Sequence, residues 1–197
     1  MLYEIAHLIK EKFSFIWSLL EWGNAISFAF IYRKRLKFIP DVLKDCSTPF
    51  FIREATKNDV DAMAEFFKEQ PQDAYTFFSP HGFDLKSLLK VVKNRSFLTF
   101  LVLDGSQIVG YFFLRCFVNG KCFRGKIVDY RWRNRGMAKQ MGLAMTQVAT
   151  TLGIRMFGTI SPDNYASLAS SKAVNQVNIV KTLDNGYYYI EYLPLKE

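Results

Sequence analysis

Blocks of alternating hydrophobic and polar residues run from Phe51 to the C-terminus and predict a mixed domain of strands and helices. The segments FFIREA, FLTFLVL, QIVGYFFLRCFV and KCFRGKIVDY are rich in aromatic and β-branched residues, which indicates four strands. Asp104-Gly105 and Asn119-Gly120 are turn pairs typical of antiparallel hairpins. Between the first two strands, the pattern predicts helices over about residues 57–69 and 84–93.

The chain after the fourth strand continues this alternation. Residues 135–153 carry methionines at helical spacing and end at Gly153, which predicts a long helix. A strand, IRMFGTI, follows, and Ser161-Pro162 predicts another helix with proline at its first position. The segments VNIVKTL and YYYIEYL flank Asp184-Asn185-Gly186 and predict a closing hairpin. The order of elements indicates an α/β (α+β) fold with a mixed, mostly antiparallel central sheet flanked by helices.

The first part of the chain has a different pattern, because residues 13–32 are almost uncharged and the basic run RKRLK follows them. Glu21 and Asn24 at the centre of this segment disfavour a transmembrane helix. One alternative is an amphipathic helix or helical hairpin, broken near Gly23-Asn24, that packs on the domain or on a second copy in a homodimer. The other is a peripheral membrane contact through residues 13–37. We favour packing, since protein satisfies an acid and an amide more easily than lipid does.

Pro40 and Pro49 are expected to bracket a linker between this segment and the rest of the chain. The predicted division is therefore a helical extension over residues 1–48 and a domain over residues 49–197. A length of 197 residues accommodates one domain and an appendage of this kind.

Composition narrows the function without deciding it. Half of the residues are hydrophobic and 22% are charged, which excludes a disordered chain and a polytopic membrane protein. The formal net charge of +8 favours an anionic partner: a nucleic acid, a membrane surface or a phosphate-bearing cofactor. Three cysteines and two histidines predict neither a disulfide framework nor a metal site. We therefore expect reduced thiols and a cytoplasmic protein, with membrane association as the alternative.

The candidate chemistry lies where the fourth strand meets the long helix, in the segment VDYRWRNRGMA of residues 128–138. The first turn of a helix has free N–H groups and the positive end of the helix dipole, so it favours a pyrophosphate. Gly136 and Ala138 leave room for phosphate oxygens, and Arg133 and Arg135 can add charge-assisted hydrogen bonds. The alternatives are a solvated basic turn and a nucleic-acid patch. No nucleic-acid motif accompanies the arginines, so we expect no nucleic-acid partner.

This segment resembles motif A of the GCN5-related N-acetyltransferases (GNAT), whose pyrophosphate loop reads Arg/Gln-x-x-Gly-x-Gly/Ala. Arg133, Gly136 and Ala138 occupy its three defined positions. Asn164 and Ser167 match the Asn-x-x-Ser/Ala that opens the following helix in this family. The resemblance covers about residues 51–195 and implies a GNAT-like fold that binds acetyl-coenzyme A. The residues expected to bind this cofactor are Val128, Tyr130, Arg133, Asn134, Arg135, Gly136, Met137, Ala138, Asn164 and Ser167.

The resemblance implies direct attack of an amine on the thioester, with backbone N–H groups around residues 128–130 stabilising the oxyanion. For the base, the candidates are Asp129, unless an arginine pairs with it, and His81, whose pKa suits proton transfer unless it only packs the loop. Glu54 is a weaker candidate. The family commonly has a tyrosine seven residues after the motif asparagine, which can act as a general acid towards the departing thiolate. This chain has Ser171 at that position. This departure leaves open a non-catalytic protein that binds coenzyme A, lipid or a partner.

The acceptor is expected to be a small-molecule amine, with an amino sugar as the leading example. The ring-rich segment AYTFFSPHGF could line its pocket, although the same residues could simply pack the loop.

Overall fold

A computed structural model describes residues 14–195 of the chain. The helices are α1 (Ser14–Ile31), α2 (Arg33–Leu36), α3 (Ile39–Asp45), α4 (Val60–Lys68), α5 (Leu85–Lys93), α6 (Met137–Leu152) and α7 (Tyr165–Lys172). The strands are β1 (Phe51–Glu54), β2 (Phe97–Asp104), β3 (Gln107–Phe117), β4 (Lys121–Val128), β5 (Arg155–Ile160), β6 (Asn175–Thr182) and β7 (Tyr188–Pro194). They form one sheet in the order β1-β2-β3-β4-β5-β7-β6. Only the β4–β5 pair is parallel, so the predicted mixed, mostly antiparallel sheet is confirmed.

The two faces of the sheet carry separate cores, because successive strand residues point to opposite sides. Helices α4 and α5 cover one face, where Phe67, Leu101 and Tyr111 are almost completely buried. Helix α6 covers the other face, where Phe100 and Phe112 stack with ring centroids 4.8 Å apart. Strand β4 therefore lies between two apolar layers. A polar side chain on this strand is costly to bury unless hydrogen bonds or an ion pair compensate it.

Helix α1 packs on the domain through its polar residues. Asn24 Nδ2 donates to Ser96 Oγ (3.0 Å) and to the carbonyl of Cys116 (2.9 Å), while Asn24 Oδ1 accepts from the N–H of Val118 (3.1 Å). Glu21 forms ion pairs with Arg115 (3.0 Å) and Lys90 (3.2 Å). These contacts hold α1 against the end of the sheet.

The predicted break near Gly23-Asn24 is wrong, because α1 is continuous through both residues. A glycine inside a helix costs about 1 kcal/mol relative to alanine. The three hydrogen bonds of Asn24 and the burial of Phe28 offset this cost.

The segment expected to be a linker is helix α3, with Pro40 at its start, a position that tolerates proline because the first N–H groups have no acceptor in the helix. Ile39 and Leu43 are buried in the same core as the sheet. The division of the chain at residue 48 stays a prediction.

The start predicted for the helix after β5 is also wrong. Ser161-Pro162 belongs to a turn in which the N–H of Asn164 donates to the carbonyl of Ser161 (3.0 Å). Helix α7 begins at Tyr165, and Asn164 caps it by accepting from the N–H of Ser167 (3.0 Å). An asparagine cap satisfies a free amide of the first turn, which a proline at that place cannot do.

Candidate active site

The centre of the sheet opens between β4 and β5. The two strands pair only over residues 121–123 and 155–157, and β5 then continues alongside β7. The side of β4 that faces β5 is therefore free of β5 from Arg124 to Val128. This gap, which we call the cleft, leads towards the start of α6.

Backbone donors of β4 point into the cleft. The N–H of Asp129 donates to the carbonyl of Val109 on β3 (3.0 Å). Because alternate residues of an antiparallel strand direct their N–H groups to opposite sides, those of Lys126 and Val128 point away from β3 and towards the cleft. The N–H of Tyr130, part of the predicted oxyanion site, instead donates to Gln70 Oε1 (3.1 Å). The N–H groups of Lys126 and Val128 therefore have no partner on β3 and face the cleft, whereas that of Tyr130 is bonded to Gln70.

The turn before α6 has an unusual backbone. Asn134 and Gly136 have φ angles of 63° and 79°, in the left-handed region, and Gly136 caps the helix. A Cβ atom built on Gly136 would meet nothing within 4 Å, so the space beside the first turn is open. A side chain at this position would still strain the backbone by about 1–2 kcal/mol. The turn thus exposes helix amides beside open space, as a phosphate site requires.

The basic side chains of this turn differ in their surroundings. Arg133 and Arg135 are exposed, and the Arg135 guanidinium lies 4.6 Å from the centroid of the Trp132 ring. Both side chains are therefore accessible to a ligand in the turn that precedes α6. Met137 is 1% exposed and its side chain lies in the core, so only its backbone faces the turn. Tyr130 is exposed and Val128 half-buried.

Asp129 organises the turn. Its carboxylate is fully buried and accepts from the Arg131 N–H (2.8 Å), Arg131 Nε (2.9 Å) and Nη2 (2.7 Å), and Gln70 Nε2 (3.2 Å). Burial alone would raise the pKa of Asp129, but the Arg131 side chain and the other donors outweigh it and lower the pKa below its ordinary value. A carboxylate held in this way is a weak base. The geometry supports the paired alternative, in which Asp129 shapes the turn.

His81 lies on the other face of the sheet, under the loop between α4 and α5. Its Nε2 is 2.7 Å from the hydroxyl of Tyr111, and its Nδ1 is 2.9 Å from the carbonyl of Gly82. Nδ1 therefore carries the proton and Nε2 accepts from the tyrosine. Burial lowers the pKa of His81, so the ring is neutral near pH 7. Both ring nitrogens have protein partners, Gly82 in the loop and Tyr111 on β3, which is the arrangement of a packing residue.

The ring-rich loop packs on the sheet beside His81. The rings of Phe83 and Phe67 stack with centroids 4.4 Å apart, and the Tyr75 hydroxyl donates to the carbonyl of Phe67. Gly125 of β4 lies beneath this layer, and a Cβ atom there would come within 2.4 Å of the Phe113 ring. Phe77 is 44% exposed, whereas the other rings of the loop are partly buried against the core. The loop therefore forms an aromatic wall next to the middle of β4.

Ser171 is almost completely buried on α7 and faces β4. Its Oγ accepts from Arg124 Nη2 (2.8 Å), and Arg124 Nη1 donates to Asn175 Oδ1 (3.1 Å). Two residues further along β4, Lys126 Nζ donates to the carbonyl of Ala138 (2.7 Å). Sequence reasoning missed Arg124 and Lys126. The available signal was two cations at alternate positions of a strand that is covered on both faces.

Asn164 and Ser167 lie at the start of α7, beyond the end of β5. The Asn164 side chain caps the helix through its Oδ1, which leaves its amide nitrogen available to a ligand. Among residues 14–195, no three metal-ligating side chains come together. The cleft thus brings together the start of α6, the start of α7 and the free side of β4, while Asp129 and His81 are tied into the surrounding framework.

Solved structures with the same arrangement include N-acetyltransferases. The GNAT domain of S. lividans PAT has a TM-score of 0.62 at 13% identity, covering 73% of this chain and 90% of that chain. PaiA N-acetyltransferase from Thermoplasma acidophilum, solved with coenzyme A, has a TM-score of 0.61 at 14% identity. The match covers 75% of this chain and 100% of that chain. AAC(6')-Ib, solved with coenzyme A and kanamycin, has a TM-score of 0.57 at 12% identity. The match covers 73% of this chain and 93% of that chain. No protein-family profile matches the chain, and no curated protein matches it. The fold is that of the GCN5-related N-acetyltransferases, as the resemblance predicted.

Proposed function

We propose that the chain is an N-acetyltransferase that moves an acetyl group from acetyl-coenzyme A to the amine of a small molecule by direct attack. The observation that carries the proposal is the cleft between β4 and β5, which leads to an open helix N-terminus beside two exposed arginines. Such a site suits a long ligand that has a pyrophosphate at one end and a neutral arm behind it. Coenzyme A has this form.

The residues of the cleft take distinct roles in this proposal. Arg133, Arg135 and the first amides of α6 hold the pyrophosphate. The N–H groups of Lys126 and Val128 stabilise the charge that develops on the thioester oxygen as the amine attacks. Asn164 and Ser167 contact the arm from the start of α7.

The acceptor approaches from the face of the sheet that carries the aromatic wall. A small amine with an apolar or sugar ring fits such a wall, since rings stack on aromatic faces. The complex of AAC(6')-Ib with kanamycin shows an amino sugar bound on this fold and supports the amino-sugar class. A cytoplasmic location suits an enzyme that draws on acetyl-coenzyme A.

The test is a thermal-shift titration with acetyl-coenzyme A, followed by a thiol-release screen over amines and amino sugars. Stabilisation together with amine-dependent thiol release supports the transferase. Stabilisation without release from any amine supports the non-catalytic alternative, for which the replacement of the family tyrosine by Ser171 is the specific observation. If acetyl-coenzyme A does not stabilise the protein, both forms of the proposal are wrong.

We also propose that the outward face of α1 binds an anionic membrane surface. Phe15, Leu19, Trp22, Ile26 and Phe30 recur at helical spacing opposite the packed face, and we call them the apolar stripe. Phe15, Trp22 and Phe30 are 78%, 63% and 79% exposed. The helix thus packs on the protein through Glu21, Asn24 and Phe28, and leaves the apolar stripe exposed to solvent, which is unusual for a surface helix.

Charge complementarity favours lipid as the occupant of the apolar stripe. Arg33, Lys34 and Lys37 directly follow the stripe and are exposed. Each basic residue near an anionic bilayer contributes about 1 kcal/mol, and aromatic side chains insert at the level of the headgroups. The proposed contact is peripheral. No helix in residues 14–195 is long and apolar enough to cross a membrane.

Vesicle sedimentation tests this surface. We expect the protein to bind vesicles that contain phosphatidylserine, to be released by salt, and to lose binding when Trp22→Glu is introduced. Ile179→Glu, on the exposed part of β6, is the matched control and should bind as the wild type does. A concentration-dependent dimer that ignores vesicles and that Trp22→Glu dissociates would overturn the proposal and assign the stripe to a second copy.

A further inference from the structure

Two cations lie on one face of β4, beside the cleft. Arg124 and Lys126 are alternate residues of the strand, so both side chains point to the side covered by α6 and α7. The Arg124 guanidinium carbon lies 3.4 Å from the centroid of the Tyr192 ring, and its nitrogens donate to Ser171 and Asn175. Both side chains are half-buried.

The positive charge of the pair is not compensated by any acid. Within the described residues, neither cation forms an ion pair, and their hydrogen-bond acceptors are a hydroxyl, an amide and a backbone carbonyl. The titratable groups that face them are Cys122 on the same strand and Tyr192 on β7. Helices α6 and α7 and strand β6 contribute only neutral contacts. Two cations in a partly dry cleft make it a favourable place for an anion.

The electrostatic surroundings of Lys126 are also those of a group that would favour a bound anion. Desolvation, and after it the charge of Arg124, lowers the pKa of Lys126 to about 7. The amine therefore exchanges a proton readily near neutral pH, and an anion beside it would restore its charge.

The position of Ser171 indicates which anion would bind in the cleft. By the resemblance, the position of Ser171 corresponds to a tyrosine that acts as the general acid in the family and protonates the sulfur that leaves the thioester. In this chain the residue is a serine, and its hydroxyl accepts from Arg124. A cation therefore stands where a proton donor is expected.

We propose that Arg124 and Lys126 form a thiolate site, which holds the sulfur of bound coenzyme A as an anion and protonates it from Lys126. The proposal rests on the proposed function. In the transfer, the amine nitrogen bonds to the thioester carbon, the carbon–sulfur bond breaks, and its electron pair stays on sulfur. An N–H bond of Lys126 then breaks and an S–H bond forms. Lys126 recovers a proton from the one that the acceptor nitrogen releases.

The test uses coenzyme A alone and needs no acceptor. The ultraviolet absorbance of the thiolate reports the pKa of the bound thiol, which is about 8.5 for an ordinary thiol. We expect this pKa to fall by at least about one unit in the complex with the wild-type protein. Above neutral pH, coenzyme A should then bind up to about tenfold more tightly than desulfo-coenzyme A, which lacks the sulfur.

Variants separate charge from proton transfer. In Lys126→Met the thiol pKa should return towards its ordinary value and the preference over desulfo-coenzyme A should shrink. Lys126→Arg keeps the charge, so the lowered thiol pKa should persist, while an arginine does not give up its proton. Lys181→Met removes an exposed cation from β6 and should behave as the wild type does.

The wild-type measurement decides the proposal even if a variant fails to fold. Equal binding of coenzyme A and desulfo-coenzyme A, or an unshifted thiol pKa, would overturn the thiolate site and leave coenzyme A binding intact. Failure of both ligands to bind would overturn the proposed function together with the thiolate site.

Discussion

Replacing Lys126 by methionine should make the free protein more stable near neutral pH. Methionine keeps the length of the side chain and removes a charge that desolvation and Arg124 disfavour. An apolar side chain avoids the cost of desolvating a charge that has no acid partner, so the substitution should raise the free energy of unfolding. The lost hydrogen bond to the Ala138 carbonyl offsets part of this gain.

The pH dependence gives a magnitude that does not depend on packing. The pKa of Lys126 is lowered from its ordinary 10.5 to about 7, so between these values the unfolded chain binds the proton that the folded protein has released. Wild-type stability from this group therefore rises with pH, by about 1.4 kcal/mol per pH unit. From about pH 7 to about pH 9, the advantage of Lys126→Met over the wild type should fall by about 2 kcal/mol, because the folded lysine is already half deprotonated at pH 7.

Urea denaturation of both proteins across this pH range measures the difference, in which all other titrating groups cancel. Lys181→Met, which removes an exposed lysine from β6, is the control variant. A difference between Lys126→Met and the wild type that is constant with pH would refute the reasoning, since it would mean that Lys126 titrates alike in the folded and unfolded chains.

Three further changes test the framework of the site. Asp129→Asn should lower the free energy of unfolding by about 2–4 kcal/mol at neutral pH in urea melts, because a fully buried acceptor of four hydrogen bonds is altered. Since the folded pKa of Asp129 is lowered, this stabilisation should be present above about pH 4 and disappear as the pH falls below it, and a gap that persists in acid would contradict the assignment. Asn24→Ala should cost about 2–3 kcal/mol by the loss of three hydrogen bonds, with Asn185→Ala in an exposed turn as the control; equal thermal melts of the two variants would show that α1 is not held as described. Gly136→Ala should lower the free energy of unfolding by about 1–2 kcal/mol because of its left-handed backbone, and an unchanged melting temperature would argue against that conformation.

The strands of the sheet are well predicted because the signals for strands and hairpin turns lie in short, continuous stretches of the sequence. Each hairpin has a turn pair between two apolar runs, and all seven strands lie where the pattern places them. The pyrophosphate turn is also visible, since Gly136 and the arginines adjoin a strand and a helix. The errors concern the helices: the helix after β5 begins at Tyr165, later than Ser161-Pro162 indicates, and helix α3 lies where a linker was expected.

The chemistry of the cleft depends on contacts between distant segments. Arg124 and Ser171 are 47 positions apart, and Asp129 and Gln70 are 59 apart, so no spacing rule connects them. His81 illustrates the same limit: its residue type suggests a base, but Tyr111 and Gly82 occupy its nitrogens. Residue type proposes a role, and the tertiary contacts decide whether the group is free to perform it.

Calorimetric titration with acetyl-coenzyme A tests the central claim, which is that the cleft between β4 and β5 holds this cofactor with its pyrophosphate at the start of α6. We predict saturable binding by the wild type and an affinity at least about tenfold lower for Arg133→Ala, since a charge-assisted hydrogen bond contributes about 1.5–3 kcal/mol. Arg95→Ala, which removes an exposed arginine in the turn before β2, should bind as the wild type does. Absence of binding by the wild type, or equal affinities of the two variants, would contradict the account.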